Sequence, residues 1–120
     1  MTKSLYQRLG GEEGIARLVD DAVAAHLTNP HIKTRYEQIK NMAHIKQLSR
    51  EFLTAGSGGP LTYSGKGMLA AHKGMNISEQ EFLAVTDDIV GAMEKSGIEE
   101  DAKKDVLAIL YSLKGEIIRV

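Results

Sequence analysis

Gly58-Gly-Pro60-Leu-Thr-Tyr63-Ser-Gly65-Lys-Gly67-Met68-Leu-Ala-Ala-His72-Lys-Gly74 is the stretch that sets this chain apart from an ordinary helical bundle. Its first part is too rich in glycine for regular structure, and the loop it belongs to, Ala55 to Gly67, is long for a compact domain. Loops of that length are commonly functional, because a scaffold positions them without packing them. A brief helix of about Lys66 to Lys73 follows. It places His72 one turn after Met68 and Leu69, so the neighbours of the imidazole on that face are apolar. The run also has the outline of a phosphate-binding GxxxxGK[ST] loop. However, Pro60 stands where the first glycine belongs, Gly67 stands where the hydroxyl belongs, and no strand precedes it, so no nucleotide site is expected.

Outward from that loop the hydrophobic period is helical. Upstream, Ile15, Leu18, Val19, Ala22, Val23, His26 and Leu27 share one face of a helix that Gly10 and Gly11 precede and Asn29-Pro30 ends. A short polar connection, His31 to Lys40, carries Ile32, Tyr36 and Ile39. The next helix runs from about Asn41 to Thr54, with Ile45, Leu48, Phe52 and Ala55 on its apolar stripe, Ser49 within it and His44 at its edge. Downstream, Ser78 and Glu81 form a capping box, and Ile77 can staple onto Phe82. That helix carries Phe82, Val85, Ile89, Ala92 and Met93, and Gly97 is placed to stop it. A last helix carries Ala102, Val106, Ile109, Leu110, Leu113 and Ile117 behind an acidic first turn. No segment alternates with period two, so the expectation is a single all-α domain over residues 1–120 with four sizeable helices and short ones between them.

Composition removes several function classes. The 15 Lys and Arg balance 16 Asp and Glu for a formal charge of -1, which argues against a duplex nucleic-acid binder. Without cysteine there are no disulfides, thiolate metal sites, c-type haem attachments or cysteine nucleophiles. No apolar run is long enough to span a bilayer. Met1 to Gln7 lack a signal peptide's apolar stretch, so a cytoplasmic protein is expected. Aromatic residues make up only 5%, so either aliphatic side chains or another large group fills the centre.

Four histidines are the remaining candidates for chemistry. No pair has HExxH or another close ligand spacing, which disfavours a helix-borne zinc site. His31 follows Pro30 in a polar turn and reads as solvated, and His26 on its apolar stripe reads as a hydrogen-bonded core residue. Asp20-Asp21, Asp87-Asp88 and Glu99-Glu100 are adjacent pairs that point to different sides of a helix and read as solvated faces. His72 is different in context. A lone imidazole on a short segment over an apolar hollow is what one axial ligation of haem iron requires, although the pattern alone also admits an ordinary surface or core histidine.

Three collinear segments carry a family resemblance: Ser4-Leu-Tyr-Gln-Arg-Leu-Gly-Gly11, Gly58-Gly-Pro-Leu-Thr-Tyr63-Ser-Gly65, and Met68-Leu-Ala-Ala-His72-Lys-Gly74. Together they resemble the truncated haemoglobins, most closely group I, over about Ser4 to Leu113. The resemblance implies a two-over-two helical sandwich that holds haem b non-covalently, with His72 as the proximal iron ligand. It places Tyr63, Met68, Ile77, Phe82 and Val85 in or beside the haem pocket, and Phe52 joins them from the apolar stripe of the second long helix.

The departures bear on activity. Group I members commonly place a tyrosine in the first long helix to donate to the bound gas, and Val23 matches that position. The glutamine or histidine of the facing helix is matched by Ile45, Leu48 and Ser49, and the family's phenylalanine after the short connection is Tyr36. Losing a donor from a dry pocket costs roughly 1–3 kcal/mol, enough to speed oxygen dissociation about tenfold or more. Weak or short-lived oxygen binding is therefore expected unless Tyr36, Ser49, His44 or His26 intervenes. His44 has two readings: contact with solvent or a haem propionate, with Lys46 nearby, or a distal iron ligand after a small helix shift. The leading expectation is reversible binding of O2, NO or CO. Its alternatives are a haem-dependent NO dioxygenase or peroxide-linked redox enzyme served by a reductase partner, and a haem-free helical interaction module.

Overall fold

A computed structural model describes residues 3–120. Among them are eight helices: α1 (Leu5–Arg8), α2 (Gly11–Thr28), α3 (Lys33–Glu37), α4 (Met42–Gly56), α5 (Met68–His72), α6 (Glu79–Lys95), α7 (Glu100–Ser112) and α8 (Lys114–Ile117). Four are long and four are a turn or so each, as the periodicity requires. Among the described residues there is no strand, only an isolated parallel bridge between Ile77 and Ile118.

The long α2 is the centre of the packing and contacts both α6 and α4. Its i, i+3, i+4 stripe of Ile15, Leu18, Val19, Ala22 and Val23 is buried with Leu9, with Ala92 and Met93 of α6 and with Val106 of α7. None of those nine core residues is aromatic: aliphatic side chains and Met93 close the space around α2. Each fully buried Ile or Leu contributes about 1.5–3 kcal/mol. Leu27, expected on the same stripe, lies a turn beyond the core and is 37% exposed.

The helix ends follow local chemistry. Ser78 and Glu81 form the expected capping box of α6, and Gly97 follows that helix with φ 73°. Asn41 caps α4 by accepting from the His44 amide. Ser4 and Gln7 make a second capping box on α1.

Three boundaries depart from the sequence reading. The connection His31 to Lys40 contains a one-turn helix, α3, because Ile32 is driven into the interior at 1% exposure and fixes the turn. The last helix is not continuous to Ile117: it breaks at Leu113, and α8 starts afresh to turn the chain toward Ile77. The brief helix is limited to Met68–His72, since Gly67 and Lys73 are both non-helical.

Two close approaches explain the glycine motifs. A Cβ on Gly59 would lie 2.5 Å from the Tyr6 ring and 2.6 Å from the Thr54 methyl, while the Tyr6 amide donates to the Ser57 carbonyl. Tyr6 therefore locks α1 onto the start of the glycine loop. A Cβ on Gly65 would lie 2.4 Å from the Tyr63 hydroxyl, so the Tyr-x-Gly pair works as one unit in which the ring covers bare backbone.

Candidate functional site

The site is built around α5, a five-residue helix that contributes no fully buried residue. His72 ends it and is half-buried. Its Nδ1 lies 2.9 Å from the Met68 carbonyl, one turn back. A carbonyl can only accept, so Nδ1 carries the proton and Nε2 keeps its lone pair. That tautomer, fixed by a hydrogen bond from the far ring nitrogen, is the form a metal-ligating histidine needs.

The glycine loop leads into this helix under restraint from α4. Glu51 accepts from both the amide and the hydroxyl of Ser64 at 2.9 and 2.6 Å, and Ser64 holds its carboxyl below the usual range. Phe52, one residue on, meets Tyr63 edge to face at 5.7 Å. The Tyr63 hydroxyl then donates to the Lys66 carbonyl at 2.8 Å. The Glu51–Ser64 tie is absent from the sequence reading, and no spacing rule would have shown it.

Ile45, Leu48, Ser49 and Phe52 share one face of α4 at helical spacing, and all four are half-buried, as are Tyr63, Met68 and Val85. Ile77 and Phe82 are buried outright. Val23 sits in the main core at 5% exposure. The Ser49 hydroxyl donates to the Ile45 carbonyl at 2.9 Å. His44 is exposed in the first turn of α4, and its ring makes no hydrogen bond among the described residues. Lys46 pairs with Asp20 of α2 at 3.2 Å and not with a group beside His44. A small apolar hollow lined by Leu5, Leu9, Phe52, Val106 and Ile109 lies on the far side of Phe52, and His72 is not among its walls.

A polar network joins α2, α3 and α6. His26 is 4% exposed, and its Nδ1 lies 2.8 Å from Asp88, which also accepts from Asn29 at 3.2 Å. Burial pushes the His26 pKa down, more than the hydrogen bond and charge of Asp88 raise it. Tyr36 stacks on His26 with ring centres 4.6 Å apart, and burial, then the Asp88 charge, pushes its phenol up to about 12. The Tyr36 hydroxyl itself has no hydrogen-bond partner among the described residues. The sequence reading puts Asp88 on a solvated face, but its side chain is only 15% exposed. Its place one turn from both Val85 and Ala92 was the available signal that it turns inward.

Arg35 of α3 forms a two-pronged ion pair with Glu81, from Nη2 at 3.1 Å and from Nε, and its Nη2 also donates to the Met75 carbonyl at 3.1 Å. The guanidinium holds the Glu81 carboxyl down at about 2. This tie, too, has no signal in the sequence.

One imidazole cannot hold a metal ion alone, and among the described residues no group of three or more His, Asp or Glu could do so. The donor set fits iron whose other ligands come from a macrocycle. A small all-helical fold that carries a lone imidazole on a short helix fits the globin class of haem protein.

Comparison with known proteins agrees. The family model for bacterial-like globins matches residues 4–119. A group 1 truncated haemoglobin of Tetrahymena thermophila is 30% identical over 97 residues, covering 81% of this chain and 79% of that one. Its counterpart from Tetrahymena pyriformis is 25% identical over 116 residues, covering 97% and 95%. The crystal structure of the T. pyriformis truncated haemoglobin in its Fe(III) form superposes with a TM-score of 0.93 at 24% identity, over 98% of this chain and all (100%) of that one. The group II truncated haemoglobin of Bacillus anthracis gives 0.87 at 21% identity, over 100% and 94%. The chain belongs to the bacterial-like globins, among the truncated haemoglobins whose group 1 members it resembles. Membership implies a haem-binding globin with the two-over-two fold.

Proposed function

We propose that this globin would hold haem b without a covalent bond, with His72 as the iron ligand, and would bind diatomic gases reversibly. The observation that carries the reading is the His72 Nδ1–H donated to the Met68 carbonyl, which leaves the Nε2 lone pair uncommitted on a helix that buries no residue outright. The haem supplies, when bound, an iron with one position open to O2, NO or CO. Phe52, Tyr63, Met68 and Val85 supply apolar contact, and the lack of cysteine removes thioether attachment.

The distal side is poor in donors. Val23, Ile45 and Leu48 are aliphatic, the Ser49 hydroxyl is committed to its own helix, and the His26 Nδ1–H is committed to Asp88. The Tyr36 hydroxyl and the His44 ring remain uncommitted. Oxygen is therefore held briefly, which favours gas binding over turnover that requires a long-lived oxygenated protein.

The test is an absorption spectrum of haem-loaded protein, ferric and then dithionite-reduced without added gas. A single broad visible band on reduction fits five-coordinate iron on His72 with an open site. Sharp split bands would instead put a second side chain on the iron, and His44→Ala would identify or eliminate that histidine. His72→Ala should lose haem and regain it with added imidazole. Failure of the parent protein to take up haem refutes the reading.

A further inference from the structure

We propose that residues 117–120 form a clasp that positions His72, with Arg119 and Val120 as positioning residues for the axial ligand. The proposal rests on the haem reading above. The chain leaving α5, Gly74 to Ile77, is held almost wholly through its backbone. The Gly74 and Asn76 amides both donate to the Val120 carbonyl, at 3.1 and 3.3 Å, and the Arg119 amide donates to the Ile77 carbonyl at 2.9 Å. From the other side Arg35 donates to the Met75 carbonyl at 3.1 Å.

Two independent observations mark this pairing as more than a frayed end. Asn76 (φ 51°) and Arg119 (φ 58°) are the two non-glycine residues with positive φ among the described residues, and each donates its amide to a carbonyl of the other segment of the clasp. Asparagine tolerates that conformation, but arginine adopts it against a steric cost, so the surrounding bonds must hold it there. The second observation is the packing of α5. It buries no residue, and its principal neighbour is α8, which delivers residues 117–120. So short a helix is far from stable by itself, because the cost of nucleating it is never recovered. The helix bearing His72 is therefore kept in place by what grips its two ends: the Tyr63–Lys66 bond before it and the clasp after it.

Arg119→Pro breaks the clasp selectively. Proline has no N–H and its ring holds φ negative, against the positive φ that the clasp requires at this position. Ile118 is already extended at φ -78°, ψ 125°, and so accepts a following proline. Arg119→Gly keeps the amide and removes the steric cost. The haem-loaded Pro variant should release haem to apomyoglobin roughly tenfold faster or more, the equivalent of one or two backbone hydrogen bonds. Its ferrous iron–histidine stretching band should shift or broaden, which a merely global loss of stability would not cause. Arg119→Gly should hold haem as well as the parent or better. Unchanged haem release with an unchanged band in Arg119→Pro overturns the proposal.

Amide exchange of the parent protein decides the matter if the Pro variant does not fold. Gly74, Asn76 and Arg119 should be protected and exchange at a common rate; free exchange of all three over a protected α2 core overturns the clasp. A parent that takes up no haem refutes the haem reading, and exchange still reports on the clasp.

Discussion

Glu81→Gln separates two roles that one carboxylate performs. Glu81 closes the α6 capping box by accepting from the Ser78 amide at 3.1 Å, and it receives the two-pronged ion pair from Arg35. Glutamine can still accept from the Ser78 amide, so the substitution removes the charge and spares the cap. A carboxyl lowered from 4.5 to about 2 corresponds to about 3.4 kcal/mol at most, taking about 1.36 kcal/mol per pH unit. Both side chains keep some contact with water, at 32% exposure for Arg35 and 18% for Glu81. Solvent screening reduces the contribution to about 1–2 kcal/mol. Between the two pKa values the unfolded chain binds the extra proton. The contribution is thus complete above about pH 5 and is lost as pH falls toward 2. The assay is urea unfolding of the haem-loaded parent and Glu81→Gln between pH 7 and pH 3. At pH 7 the parent should be the more stable by that screened amount, about 1–2 kcal/mol. The gap should narrow steadily below about pH 4.5. A gap that is absent at neutral pH, or constant down to pH 3, would refute the ion-pair account.

Other substitutions probe the remaining supports. Gly14→Ala would place a Cβ 2.1 Å from the Leu9 carbonyl oxygen, which is backbone and cannot yield. A loss of about 3 kcal/mol or more is expected in thermal or urea unfolding. Gly91→Ala, on an exposed face of α6 with open space around it, should instead be the more stable protein in the same experiment. The expected gain is about 0.5–1 kcal/mol. Asp88→Ala strips the acceptor from the buried His26 ring. That loss costs about 2–4 kcal/mol. Asp88→Asn removes the charge that props up the His26 pKa, so NMR titration should find that pKa lower still. Because the His26 pKa lies below its ordinary 6.5, the stability tied to its neutral form is full above that value and declines as the solution is acidified beneath it. Tyr36→Phe should leave stability within about 0.5 kcal/mol, since the hydroxyl has no protein partner. Stopped-flow oxygen release should become several-fold faster in that variant, and an unchanged rate would remove Tyr36 as a candidate donor to the bound gas.

What the sequence made legible was local or periodic. The α2 stripe, the Ser78–Glu81 box and the Gly97 stop each follow from residues within a turn or two, and each is where the spacing puts it. The three glycine motifs were legible as a resemblance, but their reason is tertiary: Gly59 is bare because Tyr6, far off in sequence, lies against it. What stayed hidden joins distant segments through single polar atoms. Nothing near Glu51 points to Ser64, and nothing near Arg35 points to Glu81. The backbone pairing of 118–120 with 74–77 uses no side-chain pattern at all. The helix α3 was hidden for the opposite reason: one buried side chain, Ile32, overrides a polar composition that reads as a loop. Asp88 was hidden because adjacent acids read as a pair, while helix geometry sends only one of them inward.

These hidden contacts divide the molecule into a part that folds and a part that works. The aliphatic cluster around α2 lies on α2, α6 and α7, together with Leu9 at the end of α1, and it draws no residue from α5. The ties that fix α5 are polar and near the surface: Glu51 to Ser64, Tyr63 to Lys66, Arg35 to Met75, and 119–120 to 74–77. Such ties are individually weak beside the burial of the apolar core. Local opening of the His72 segment therefore costs far less than unfolding. The His72 segment can therefore open and close while α2, α6 and α7 stay packed. The few hydrogen bonds around α5, more than the hydrophobic core, govern how firmly His72 is held in place.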